Sequence, residues 1–202
     1  MRHIVLILLA IAVASVLASQ AEVRSEPVLE ASRVRGADRI LGTPIHGEAE
    51  VERYARSVGC TRYIMKTIPL YYGLAPRRDI RPDVLVAQAI LETGKGHYGA
   101  DSRPWNMAGI KRSGGAVGDG PSDFEVPKTP RAGVRMHVNH MVAYTGKKPI
   151  GKPHERFYDA RAAQESRGWW VRRVSQLGNG VWATDPHYAG KIRRILDAMG
   201  TR

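Results

Sequence analysis

The sequence predicts a mainly α fold with a small irregular or β lobe, and three observations carry that reading. The stretch Pro82–Glu92 is apolar in nearly every direction around a helix axis, the pattern of a helix buried on all sides. Flanking segments place apolar residues at i, i+3, i+4 and i+7, as in Val51, Tyr54, Ala55 and Val58. Between them lies Asp101–Pro130, rich in glycine and proline and poor in aliphatics, the composition of a loop-built lobe in an otherwise helical chain.

Met1–Ala21 stands apart from the fold. Arg2 and His3 precede an almost unbroken apolar run over Ile4–Leu17, and Ala18-Ser19-Gln20-Ala21 supplies small residues suited to cleavage. That layout is a secretory signal peptide. The run is short for a membrane span, which needs about 20 apolar residues, so an uncleaved anchor is the alternative. Residues 22–39 lack periodicity and read as a linker, leaving 40–202 as the domain. Of the 202 residues 43% are hydrophobic, enough for one real core.

Within the domain, Ile40–Pro44 starts the fold, and Glu48–Val58 reads as a helix with an acidic first turn. Arg62–Tyr72 is apolar and aromatic, with Pro69 marking a kink or an end. Leu74–Asp79 is a short loop. Pro82 then suits the first turn of the buried helix, where its missing N–H costs nothing. Asp83 sits at the positive end of that helix's dipole. The helix ends at Glu92, followed by Gly94, Gly96 and Gly99. Arg131–Thr145 returns to helical spacing and Gly146–Lys152 breaks it. Ala160–Gly168 and Trp169–Leu177 read as two short helices, and Gly178-Asn179-Gly180 as a turn. Asp185-Pro186 is the pattern of an N-cap followed by a first-position proline. It leads into a last helix with a face of Tyr188, Ile192, Ile195, Leu196 and Met199, closed by Gly200.

The formal net charge is +12, which in a cytosolic protein would suggest nucleic acid. Behind an export signal, anionic envelope polymers are the better partners. The basic pairs are scattered, and each alone reads as solvated surface. Cys60 is the only cysteine, so no internal disulfide forms, and it reads as a packed thiol. His137 and His140 lie on one helical face with Tyr144. The helix carries no carboxylate, so a packed, hydrogen-bonded pair is favoured over a zinc site. Gly94-x-Gly96-x-x-Gly99 follows a helix rather than a strand, which removes it as a dinucleotide fingerprint.

Glu92 is the residue with chemical promise. Desolvation at the end of a buried helix raises a carboxyl pKa, as a general acid at neutral pH requires. On the helix pattern alone it is a surface carboxylate in the last turn of a core helix. Two further stretches change that balance: WNMAGIK at Trp105–Lys111 and VWATDPHYAGKI at Val181–Ile192.

Together with AILETGKG at Ala89–Gly96, these stretches resemble family 73 of the glycoside hydrolases, the bacterial β-N-acetylglucosaminidases that cut peptidoglycan. Phe124–Thr145 resembles a subgroup with a Gly-Val-Arg-x-x-x-x-His helix. The resemblance runs from about Gly42 to Leu196. It implies a lysozyme-like helical domain with Glu92 as the catalytic acid and Asn106, Gly109 and Ile110 in the loop under the cleft. Trp182 stands where the family has a tyrosine thought to assist near the reacting sugar. An indole offers one N–H and no hydroxyl, and Tyr188 is the nearby residue able to supply one. Tyr98, Trp105, Trp182 and Tyr188 are candidates to line the cleft, while Trp169 and Trp170 are expected to pack the C-terminal helices.

Glycoside cleavage needs an acid and, in most families, a second group that attacks or stabilises the cationic centre. Asp119, Asp123 and Glu125 are the candidates, with Glu125 favoured beside Phe124 in an expected strand. A substrate-assisted route through the 2-acetamido group is also open. No metal or organic cofactor is called for. The expectation is a secreted or envelope-located, monomeric hydrolase of peptidoglycan strands that cleaves after N-acetylglucosamine. The rivals are a lytic transglycosylase of the same fold and a non-catalytic wall-binding scaffold.

Overall fold

The computed structural model describes residues 36–98, 104–114 and 120–201. The predicted signal peptide and Asp119 lie outside the described residues, as does the predicted linker up to residue 35. A compact unit spans Asp38–Arg202. Its first residues are already tied in, because the Asp38 carboxylate accepts from Ser175 and Arg193 and Arg39 bridges to Arg173.

The architecture is mainly α, as predicted. α1 is Glu48–Ser57, α2 Arg62–Leu74, α3 Pro82–Glu92, α4 Pro130–Thr145, α5 Arg156–Arg167 and α6 Tyr188–Met199. α3 packs on α2 and α6; α2 also packs on α1 and α4, and α4 on α5. No helix among the described residues is long and apolar enough to cross a membrane.

α1 opens with Glu50 accepting from the Gly47 N–H at 2.7 Å, and it buries Val51, Tyr54 and Ala55. Thr61 caps α2 through the Tyr63 N–H. Pro69 neither ends nor divides α2. An internal proline costs about 3 kcal/mol, but the buried face formed by Ile64, Ile68, Tyr71 and Leu74 continues on both sides of it. The expected loop after α2 contains a 3₁₀ turn, Ala75–Arg78, closed by Asp79 at φ +58°.

Every α3 residue from Pro82 to Ile90 is buried. Asp83 does more than face the helix dipole. Its carboxylate takes both Arg81 Nη2 at 2.6 Å and Nε at 3.1 Å, and it accepts the N–H groups of Ile45 and His46. After Glu92 the chain turns sharply, and Lys95 N–H returns to the Ile90 carbonyl at 2.8 Å. Gly96 lies at φ +88°, where a side chain would overlap the Thr61 hydroxyl. That hydroxyl bonds the Gly96 carbonyl, so the turn is fixed to the start of α2.

The lobe is minimal. One antiparallel bridge joins Lys111 and Phe124, extended by Arg112 N–H to Asp123 O and Glu125 N–H to Ile110 O.

Three boundaries differ from expectation. α5 starts at Arg156 rather than Ala160. The second short helix expected over Trp169–Leu177 does not form. Val171 N–H is spent on the Tyr144 carbonyl and the Arg172 carbonyl on Ile40 N–H, leaving only a 3₁₀ turn at Val174–Gln176. Asp185 and Pro186 precede α6 rather than capping it. The Asp185 carboxylate accepts from His187 N–H and Lys191 Nζ, and the helix begins at Tyr188. Ile195, expected on the buried face of α6, is only partly buried.

Candidate active site

Glu92 is the last residue of α3, and the turn behind it brings two loops and α6 over its carboxyl group. Oε1 accepts the Tyr188 hydroxyl at 2.5 Å and the Trp182 indole N–H at 3.1 Å. Oε2 looks toward Gly109, lying 4.0 Å from where a Cβ there would stand. Gly109 itself sits at φ +57°, a conformation that costs glycine least. Glu92 is exposed as a residue, but desolvation of its carboxyl by the surrounding protein raises it above its ordinary value, and the hydrogen bonds from Tyr188 and Trp182 pull it back in part. Both donors fall on one oxygen. The proton of the neutral acid therefore belongs on Oε2, the oxygen facing the Gly109 loop.

Tyr188 reaches this place from the buried face of α6. Its oxygen in turn accepts from Gln88 Nε2 at 3.1 Å. Gln88 is fully buried on α3, one turn before Glu92, and its Oε1 has no partner among the described residues. Sequence reasoning missed it. The available signal was an amide inside an otherwise apolar helix, four residues before the carboxylate.

Trp182 is braced by α4. Its ring lies 5.7 Å from His137, 5.1 Å from His140 and 5.2 Å from Tyr144. His137 Nδ1 pairs with the Tyr71 hydroxyl at 2.7 Å, and His140 Nδ1 with His154 Nε2 at 3.2 Å. Burial lowers His137 to about 3, and burial plus neighbouring positive groups takes His140 well down. These are neutral, packed rings, as the sequence suggested, and they hold the indole against Glu92. Among the described residues no cluster of His, Cys, Asp and Glu has the arrangement to hold a metal.

The loop that carries Gly109 is held by Asn106. Its side-chain amide bonds Ile110 N–H and the carbonyls of Ile110 and Glu125, all within 3.0 Å, and the residue is buried. Asn106 thus shapes the loop rather than presenting a free group. Tyr98 gives its hydroxyl to the Pro104 carbonyl and stacks edge-on with Tyr63. Trp105 stacks on the same Tyr63 at 5.2 Å, and its carbonyl presses on Gly133 of α4. Tyr98 and Trp105 therefore build the wall that supports the loop.

Of the candidates for a second acidic group, the two among the described residues, Asp123 and Glu125, are not brought to Glu92 as hydrogen-bonding partners. Asp123 accepts the Gly120 N–H. Glu125 lines a separate groove with Arg135, Met136, Lys152 and His154. Cys60 is half-buried with its thiol pushed up to about 11 by burial, too weakly acidic to serve as a nucleophile. Trp170 packs against Gly146 and under Arg161, whereas Trp169 is exposed.

Comparison with known proteins adds one finding. The model of the glucosaminidase family, described as mannosyl-glycoprotein endo-β-N-acetylglucosaminidase, matches residues 68–201. That span runs from within α2 through α6 and contains Glu92, Gly109, Trp182 and Tyr188. No curated protein and no solved structure matches the chain. The chain belongs to the glucosaminidase family, and its domain is a glycoside hydrolase domain of the endo-β-N-acetylglucosaminidase type.

Proposed function

We propose that this glucosaminidase-family domain cuts the glycan strands of peptidoglycan at the β-1,4 bond after N-acetylglucosamine, with Glu92 as the general acid. The observation that carries the reading is the Glu92 carboxyl itself. Burial raises its pKa, its Oε1 is fixed by Tyr188 and Trp182, and its Oε2 is left facing the Gly109 loop. A proton held on Oε2 is placed for transfer to a glycosidic oxygen lying over Gly109, and the carboxylate so formed keeps two donors on Oε1. The same donors then favour the ionised form just when the leaving oxygen has taken the proton. Water completes the cleavage.

Trp182 takes the place of the family tyrosine by offering its N–H to Glu92, and Tyr188 supplies the hydroxyl from α6. Asn106 acts through the loop it shapes, and Tyr98 and Trp105 through the wall beneath it. The signal-peptide layout of Met1–Ala21 supports export to the envelope. The +12 charge favours attachment to an anionic wall.

Mass spectrometry of digested peptidoglycan tests the bond and the reaction together. The expected product ends in reducing N-acetylglucosamine. Anhydro-muramic ends would make the domain a lytic transglycosylase, and an undigested wall would make it a binding scaffold.

A further inference from the structure

Beyond the lobe, the chain forms a groove of about 370 Å³ between residues 125–127, the exposed start of α4 and residues 152–154. Its lining includes the apolar side chains of Val126, Met136 and Pro153, with Met136 buried and Val126 exposed. Met136 also packs with Ala108 and Ile110 in a small cluster covered by Trp182. Met136 therefore links this groove to the cluster on which the Trp182 indole packs. Arg135 and Lys152 stand on the groove, and among the described residues neither makes an ion pair or a hydrogen bond. Arg131 adds a further exposed cation one turn before Arg135. Other cations of the domain are paired with acids, among them Lys147 with Asp79, Lys191 with Asp185 and Arg193 with Asp38.

The one ring among the lining residues, His154, is engaged by His140, with ring centroids 5.2 Å apart, so no tryptophan, tyrosine or phenylalanine lines the groove as a flat stacking surface for a sugar ring. Apolar lining side chains with the cations Arg135 and Lys152 beside them suit an extended aliphatic chain ending in carboxylate. Glu125, on the opposite side in sequence and also lining the groove, can accept from amide or ammonium N–H groups of such a chain.

We infer that this groove binds the carboxylate-bearing peptide arm of the cell-wall glycan, with Arg135 and Lys152 holding the carboxylate. The inference rests on the peptidoglycan reading of the site. It makes the enzyme sensitive to the charge of the arms as well as to the sugars.

The test uses the full chain and sacculi stripped of phosphate polymers, before and after carbodiimide amidation of their carboxylates. Amidation is expected to raise the KM of the wild type on the order of fivefold, the range of one or two partly screened ion pairs. The double variant Arg135→Gln/Lys152→Gln is expected to show that raised KM on native sacculi and no further response to amidation. Its melting temperature reports that the fold is kept. Equal responses of wild type and variant to amidation would overturn the proposal, as would a wild-type KM for the variant on native sacculi. A loss confined to walls that retain their phosphate polymers would also overturn it, by assigning the cations to phosphate. Binding of the Glu92→Gln protein to the same two preparations reads the groove without turnover. Failure of Glu92 as the acid and failure of the groove are thereby distinguished.

Discussion

Glu92 is exposed as a residue, yet its carboxyl is desolvated enough to favour the protonated form over what the unfolded chain allows, at some expense to the fold. Burial raises its pKa above the ordinary 4.5, so the folded state binds this proton more tightly than the unfolded chain does. Protonation then contributes stability that is fully present below the unfolded value and lost as pH rises through the raised one. Glu92→Gln removes the ionisable group while keeping an oxygen for Tyr188 and Trp182. The variant is expected to melt higher than wild type at pH 7, with the gap closing toward pH 4. Calorimetry at the two pH values checks this, and a less stable variant at pH 7 would contradict it. Gln88 acts at the same scale. Its N–H occupies the acceptor side of the Tyr188 oxygen and directs the hydroxyl proton to Glu92. Gln88→Met keeps the length and removes the donor. It is expected to lower kcat about five- to tenfold, the worth of one hydrogen bond. The same change in a Tyr188→Phe background is expected to add nothing, because the path to Glu92 is already cut.

At the scale of elements, the cleft depends on how closely the Trp105–Lys111 loop sits on α4. Gly133 permits it, because a Cβ there would overlap the Trp105 carbonyl. Gly133→Ala is expected to cost about 1–3 kcal/mol in urea unfolding and to lower activity further by moving Gly109. An unchanged rate would separate the loop position from the chemistry. The elements were legible wherever burial follows a period. α1, α3 and α4 show their buried faces in sequence, and Pro82 marks a helix start that the structure uses. The misreadings have separate causes. Over Trp169–Leu177 the backbone bonds go to distant partners, Ile40 and Tyr144, and no local pattern reports that. α5 buries only Phe157, Ala160 and Gln164, too narrow a face to mark where it starts. Asp185-Pro186 reads as a helix start, yet the Asp185 side chain is engaged with His187 and Lys191 instead. The site divides the same way. Glu92, Trp182 and Tyr188 lie in stretches that stand out in sequence. The hydrogen bonds joining them, and the link to Gln88, depend on α3 packing against α6.

At the scale of the whole molecule, the core around α3 has to hold without any disulfide, since Cys60 is the only cysteine. The buried pair Arg81–Asp83 ties the helix start to the segment before α1. Arg81 reaches the Arg39 carbonyl, and Asp83 accepts from Ile45 and His46. Asp83→Asn leaves a guanidinium that is 1% exposed without its counter-charge. It is expected to destabilise the domain by about 3–5 kcal/mol, read as a lower urea midpoint. This frame sets α3 between α2 and α6 and so brings Tyr188 to the end of the helix that carries Glu92. The central claim is that the whole arrangement serves one proton. It is tested most directly by the rate at which Glu92→Gln hydrolyses purified peptidoglycan. A fall of about 10²–10⁴-fold is expected, the usual contribution of a general acid, with binding to the wall retained. A variant that clears peptidoglycan at the wild-type rate would contradict it.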